Sequence, residues 1–368
     1  MSKHLMTRQA VLLFLLLALC RMSAAAQQIP EPKLTPAPST DGQHAVVREG
    51  VALHDRGDFD GAIRRYESVL AENPSNLAAL YEMGFSYSAK KDYRKALEVA
   101  YRGAEFKSPQ LPAFYLLIGN NLDLLGETDR AVEVYKKAIK QFPGDGLLHY
   151  NLAVAYRNQG KLDEAKQSLK AGLAVAPEHA SSHFMLAVIF YNTGYKSPAL
   201  LVAARFLAIE PASQRSPAAL RLVRTLLTGG ASAGSKPGEI NLTLELDAKK
   251  DEGDFGAVDM MLGLSAALAL TDKEKEKSEA QKLVGQFETA LAVLAERSDG
   301  KQSKFVPQFY APYFIEMKQR GHVEAFVYHA LQSSGLPGVR EWIDSNAGRV
   351  MQFLVWSKKY QWPTDLKP

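Results

Sequence analysis

A period constrains this chain more than any other feature. Ala62, Ala96, Ala131, Ala165 and Ala199 follow one another at intervals of 34, 35, 34 and 34 residues. Pro74, Pro143, Pro177 and Pro211 keep the same beat, with Pro109 one step late in the second copy. Gly57, Gly126, Gly160 and Gly194 each fall five residues before one of these alanines; in the second copy that place is held by Lys91. Self-similarity at this length marks a stack of small units, each too small to bury its own apolar face.

The third copy shows what one unit is. Pro112 suits the first turn of a helix, where its missing N–H costs nothing. Tyr115, Ile118, Gly119 and Leu122 then recur at helical spacing, and Gly126 ends the run because glycine takes a left-handed conformation cheaply. Asp129 is placed to cap a second helix carrying Ala131, Val134, Tyr135 and Ala138, and Pro143 stops it. Gly50, Gly84, Gly119, Ala153 and Ala187 mark where two helices approach closely, and Tyr87, Leu122, Tyr156 and Phe190 fill the space beside them.

The order of small, bulky, alanine, aromatic and proline positions reads Gly50, Leu53, Ala62, Tyr66, Pro74, and again Gly119, Leu122, Ala131, Tyr135, Pro143. It continues as Ala153, Tyr156, Ala165, Leu169, Pro177, then Ala187, Phe190, Ala199, Ala203, Pro211. This resembles the tetratricopeptide repeat. The family's tryptophan is absent; Val46, Leu80, Tyr115, His149 and His183 stand in its place. The resemblance implies an all-α fold: a right-handed α-solenoid of about five helical hairpins over residues 43–213, with a C-terminal helical region added.

The resemblance also implies a partner-binding groove lined by the first helices, for a protein or peptide. Carried over position by position, it comprises Tyr81 and Phe85; Leu116, Asn120 and Asp123; Tyr150, Arg157 and Asn158; and Phe184, Tyr191 and Asn192. Rings supply buried area there, and amides pair with a peptide backbone. The first repeat offers His44, Val47, Val51 and His54 and no large ring, so a peptide is expected across the second to fifth repeats, with an acidic or polar group near Arg157. Some family members clamp a terminal carboxylate with lysines and asparagines. Here Asn120 is present, but Leu116 and Tyr150 replace the lysines, which argues against that mode.

Outside the repeats, residues 1–26 read as a signal peptide. Lys3 and Arg8 precede an apolar run from Ala10 to Cys20, and Ala24-Ala25-Ala26 offers a cleavage site. The run is too short to cross about 30 Å of hydrocarbon. The mature protein is therefore expected to be periplasmic or secreted. Acylation at Cys20 is the alternative, disfavoured by the bulky Leu19. Cleavage would remove Lys3, Arg8 and Arg21 and no acid, leaving 41 basic against 40 acidic side chains. That balance gives no electrostatic case for nucleic acid. Cys20 is the one cysteine, so the mature chain has neither disulfide nor thiolate.

Residues 27–42 form a Pro-rich linker, expected to be a semi-extended spacer or a tail without a role. Residues 214–228 are expected to cap the array, and 229–238 to form a flexible linker. Residues 239–368 read as mainly helical, either divergent repeats or a separate domain. Within them Ile240, Leu242, Leu244 and Leu246 suggest a short strand, Gly253 to Ala257 opens a helix to Leu270, Asp272 caps a long helix, and a last helix spans Val339 to Lys358.

No motif supports catalysis. His322, Glu324 and His329 miss the helical zinc spacing. Asp247, Asp251, Glu252 and Asp254 lack calcium-loop order and are expected to form a solvated turn. Met260 to Leu270 is expected to pack in a core. No cofactor or metal is implied, and no membrane span after signal cleavage. The reading is a non-enzymatic exported scaffold, with an envelope assembly as one setting for its partner; the alternative is an enzyme with an unrecognised active site in the C-terminal third.

Overall fold

The computed structural model describes residues 29–236, 239–243, 249–297, 303–363 and 366. The expected signal peptide, Asp247, and Leu244 to Leu246 of the expected strand lie outside them. The chain divides between Val134 and Tyr135 into two compact units.

The first unit contains α1 (Asp41–Asp55), α2 (Phe59–Glu72), α3 (Leu77–Ala89), α4 (Tyr93–Ala104), α5 (Leu111–Leu124) and the start of α6 (Thr128–Gln141). Short polar side chains start α1 to α4 by accepting from otherwise unpaired backbone N–H groups. Thr40 and Gln43 form a reciprocal capping box on α1. Asp58 accepts from the Gly61 N–H at 2.9 Å and Asn76 from the Ala79 N–H at 2.9 Å. Asp129 is not a cap: it lies inside the first turn of α6. The turns between paired helices hold left-handed residues, Gly57 at φ +83° and Gly126 at φ +79°. Lys91 takes the same conformation at φ +65°, which its Cβ makes costly.

The alanine row is packed tight, with Ala62, Ala96 and Ala131 wholly buried. Gly50 and Gly84, where the paired helices approach closely, are needed just as strictly. A Cβ on Gly50 would stand 2.4 Å from Tyr66 Cε1, and one on Gly84 2.7 Å from Leu117 Cδ2. The Pro-rich segment is no free spacer. Lys33 and Leu34 N–H groups donate to the Glu105 carbonyl at 2.8 and 3.0 Å, and the Lys107 N–H donates back to Leu34 at 2.8 Å. Farther on, the Ala37 N–H donates to Ser75 Oγ at 2.9 Å and Asn76 Nδ2 to Ser39 Oγ at 2.9 Å. An extended strap whose donors and acceptors find partners on the repeats gains what a solvated tail lacks.

The second unit continues with α7 (Gly146–Asn158), α8 (Leu162–Val175), α9 (Ala180–Asn192), α10 (Lys196–Ile209) and α11 (Ser216–Thr228). Then come β1 (Ala231–Ala233) and β2 (Ile240–Leu242), α12 (Gly256–Leu268), α13 (Glu279–Arg297), α14 (Phe305–Gln319), α15 (Val323–Ala330), α16 (Val339–Ser345) and α17 (Ala347–Lys359). Three expectations are corrected here. The glycine-rich stretch after α11 is not wholly flexible, since β1 pairs antiparallel with β2, Ser232 opposite Asn241. Asp272 opens only a short 3-10 turn, and the long helix starts at Glu279. The last helix is broken at Asn346, between α16 and α17.

The helices after β2 share one hydrophobic core with the fourth and fifth repeats. Phe309, Tyr310 and Phe314 of α14 are wholly buried in it, at about 1.5–3 kcal/mol for each ring. α10 packs against α14 and α15, and buries twelve of its fourteen residues. α12 packs in the core through one face: Val258, Leu262 and Ala266 are buried, while Met260 and Leu268 are exposed.

Candidate functional site

In the first unit the first helices α1, α3 and α5 contact one another in succession. Tyr81 and Phe85, one turn apart on α3, have parallel rings 6.4 Å apart. His54 lies flat against the other side of Phe85 at 5.0 Å, held by a 2.8 Å hydrogen bond between Nδ1 and Ser86 Oγ. The edge of Phe114 meets Tyr81 at 5.9 Å and anchors that end of the row. Phe85 remains 46% exposed, an unusual state for a phenylalanine ring packed on two sides. Thus the first repeat, which offers no large ring, contributes the His54 imidazole, whereas Val47 is buried. His54 sits four residues after the small Gly50, as Arg157 and Tyr191 do after Ala153 and Ala187. That register was the available signal.

Glu82 is half-buried on the same helix, and burial, then the charge of Asp55, raise its pKa above the usual carboxylate range. Farther along, Leu116 is half-buried and Asn120 exposed. Asp123 accepts from Thr128 Oγ1 at 2.7 Å, so its carboxylate fixes the turn into α6 rather than only facing outward.

In the second unit, Arg157 and Asn158 at the end of α7 are exposed and 3.5 Å apart, Nη2 to Oδ1. Tyr150 is half-buried and meets the edge of His179 at 5.0 Å. Phe184 is packed more than presented: it contacts Phe206 at 5.1 Å and lies under the Arg215 guanidinium at 5.9 Å. Tyr191 and Asn192 are exposed, the tyrosine by 42%. Tyr191 also borders a cleft of about 470 Å³ floored by Gly229, Gly230 and Gly263.

The histidines that replace the family's tryptophan are structural. His183 is fully buried between the Pro177 carbonyl and the Tyr310 hydroxyl, each 2.8 Å away. A carbonyl can only accept, so Nε2 carries the proton and Nδ1 accepts from Tyr310. Burial lowers its pKa to about 3 and keeps the ring neutral. His149 repeats the Nε2 contact with Pro143 O at 3.2 Å.

Asp251 and Asp254 of the acidic cluster are exposed, as a solvated turn requires, but Glu252 is not. Glu252 is buried between Lys166, at 3.5 Å, and Lys170, both on α8. Burial lowers the pKa of Lys170. Tyr195 donates to Asp251, and the Ser197 N–H donates to Asp259 at 2.9 Å. Arg205, also wholly buried, donates to Tyr313 Oη at 3.1 Å and Ser357 Oγ at 2.8 Å, pairs with Glu178, and stacks on Tyr313 and Trp362 at 4.9 Å each. The histidines of the C-terminal third are apart in role. His329 donates through Nε2 to the Ala208 carbonyl at 3.3 Å, while Glu324 pairs with Arg349 at 2.8 Å. No group of three metal-ligating side chains occurs among the described residues. No helix there is long and apolar enough to cross a membrane.

Residues 53–113 and 124–189 match the tetratricopeptide repeat family model. These two stretches are similar to tetratricopeptide repeats, which build interaction scaffolds for proteins or peptides that are generally non-enzymatic. It is 25% identical over 119 residues, 32% of its length, to a TPR repeat-containing protein of Methanocaldococcus jannaschii, and spans 21% of that protein. It is 26% identical over 117 residues, 31% of its length, to the general transcriptional corepressor trfA of Dictyostelium discoideum, and spans 8% of it. The crystal structure of a thermophilic TPR protein of Thermus thermophilus is 25% identical; the match covers 50% of this chain and 99% of that one, with a TM-score of 0.41.

Proposed function

We propose that the protein is a non-enzymatic, exported adaptor whose first-helix faces hold an extended peptide of a protein partner. The observation that carries this reading is the row His54, Phe85, Tyr81, with Phe85 half-exposed between two rings. Such a ring is already fixed in place, so a partner's apolar side chain can cover it without further ordering cost. Glu82 and Asp55 beside it favour a basic residue next to that apolar one. Asn120 supplies amide pairing for the peptide backbone. In the second unit Tyr150, Arg157, Asn158, Tyr191 and Asn192 offer the same chemistry with a positive charge, suited to an acidic or polar group. Export rests on the basic, apolar and small-residue order of residues 1–26, and it places the partner in the periplasm, in an envelope assembly, or outside the cell.

The test is capture of partners from the native envelope by the wild type and by variants. Phe85→Ala and Tyr150→Ala should each weaken the captured complex about tenfold or more while leaving the protein folded at the assay temperature. His54→Ala, which unseats Phe85, should weaken it less. A partner held equally by all three variants would remove the first-helix faces from consideration.

A further inference from the structure

A second surface, remote in sequence from the repeats, has the makings of a binding site. The end of α14, the turn into α15, and one face of α17 enclose an open cleft of about 770 Å³. Its apolar wall is Met351 and Val355, one helical turn apart on α17. They are 59% and 46% exposed, although most of the large apolar side chains of this unit are buried. The half-buried Trp356 and Tyr360 continue that wall.

The charges around the wall are one-sided. Among the described residues Glu316 is the one acid lining the cleft, and it is already engaged. Its Oε1 accepts from Arg320 Nε at 2.6 Å and from Trp356 Nε1 at 2.9 Å. The Arg320 side chain is 55% exposed, and its contact with Glu316 runs through Nε, which leaves the terminal guanidinium nitrogens open to a further acceptor. Lys359 lines the same cleft, is exposed, and has no ion pair among the described residues. His322, between Phe353 and Trp356, is neutral near pH 7, because burial and then Arg320 lower its pKa. The cleft therefore presents an apolar strip edged by a net positive charge, with Arg320 shared with Glu316 and Lys359 outside any ion pair among the described residues.

We propose that this cleft binds an acidic peptide segment of a partner protein, one large apolar side chain lying on Met351 and Val355 and a neighbouring carboxylate meeting Arg320 and Lys359. A guanidinium whose Nε is fixed by a carboxylate is held in plane, so its two terminal nitrogens are set for a second carboxylate. Adjacent apolar surface lowers the local dielectric and strengthens that contact. The site is independent of the first-helix faces, and a partner using both would gain from their linkage.

Fluorescence anisotropy of the full mature chain with short labelled peptides tests this. The probes are a peptide alternating leucine with glutamate, one alternating leucine with lysine, and one alternating serine with glutamate. The first should bind, more weakly as salt rises, and the other two should not. Met351→Asp and Lys359→Glu alter exposed side chains, so both variants should keep the wild-type melt and bind the leucine–glutamate peptide at least about tenfold more weakly. Phe85→Ala and Tyr150→Ala should bind it as the wild type does. Failure of the wild type to bind the leucine–glutamate peptide overturns the proposal. So does equal binding by both cleft variants, or loss of binding in the first-helix variants instead. Neither of the first two outcomes bears on whether the first-helix faces hold their own partner.

Discussion

The second helices of the first two repeats and of the last two are drawn from one repeat pattern, yet they live in different surroundings. α2 buries six of its fourteen residues and gives the remainder to solvent. α10 buries twelve, because α14 and α15 lie on the face that α2 leaves free. Its sequence carries the difference: Leu200, Leu201, Val202, Phe206 and Leu207 surround the helix instead of forming a stripe. Covering an outer face brings polar groups inside, and each then needs a partner. Lys166 and Lys170 find Glu252, Arg205 finds Glu178, Tyr313 and Ser357, and His183 finds Tyr310. The covered helices are thereby fixed as scaffold, while the first helices keep exposed rings and amides.

The largest expected effect breaks this comparison at the acidic latch. Glu252→Ala leaves two ammonium groups buried against each other and should destabilise the second unit by about 3–5 kcal/mol in urea unfolding. A loss below about 1 kcal/mol would mean that the lysines reach water, and that α8 is not covered as described.

Acid sharpens the same contrast. The folded pKa of His183, about 3, lies below the ordinary 6.5, so the unfolded chain takes up its proton first as pH falls. The stability held by the neutral ring is complete above about pH 6.5 and is lost progressively toward pH 3. At pH 5 the loss should be roughly 2 kcal/mol. His183→Gln should flatten that part of the profile; an unchanged slope would assign it to other groups.

The smallest effect belongs to the first unit. Lys91→Gly removes a left-handed strain of about 1–2 kcal/mol, while glycine's freedom in the unfolded chain offsets about half of it. The expected gain is about 0.5–1 kcal/mol of stability, read from the shift in the denaturation midpoint. A destabilised variant would show that the Lys91 side chain contributes more than its backbone costs.

Lys91 also shows why so much of the repeat region was legible in the sequence. Its interruption of the glycine row marks a fixed backbone requirement, while Gly50, Gly84 and the alanine row mark helix contacts with no room for a larger side chain. These are local constraints repeated at one period. The C-terminal third has no such repetition. Its signals are long-range: Glu252 is 82 residues from Lys170, and Tyr310 is 127 from His183. Spacing cannot announce such pairs, so Glu252 read as a solvated acid and the Asn346 break was invisible. The strap at residues 33–40 was missed for the same reason, since its partners at Ser75, Asn76 and Glu105 are distant in sequence. Among the candidate site residues, side-chain type identified Phe85 and Tyr191 as exposed rings. It could not foresee that His54 would stack on the first or that Arg215 would cover Phe184.

The central claim is that exposed first-helix faces bind and covered second helices support. Hydrogen exchange of the full chain, with and without the captured partner, tests it most directly. The account predicts added protection along α3 and α5, centred on the turns bearing Tyr81, Phe85 and Asn120, with α8 and α10 already protected and unchanged. Protection confined to residues 239–368, with α3 and α5 exchanging as in the free chain, would contradict it.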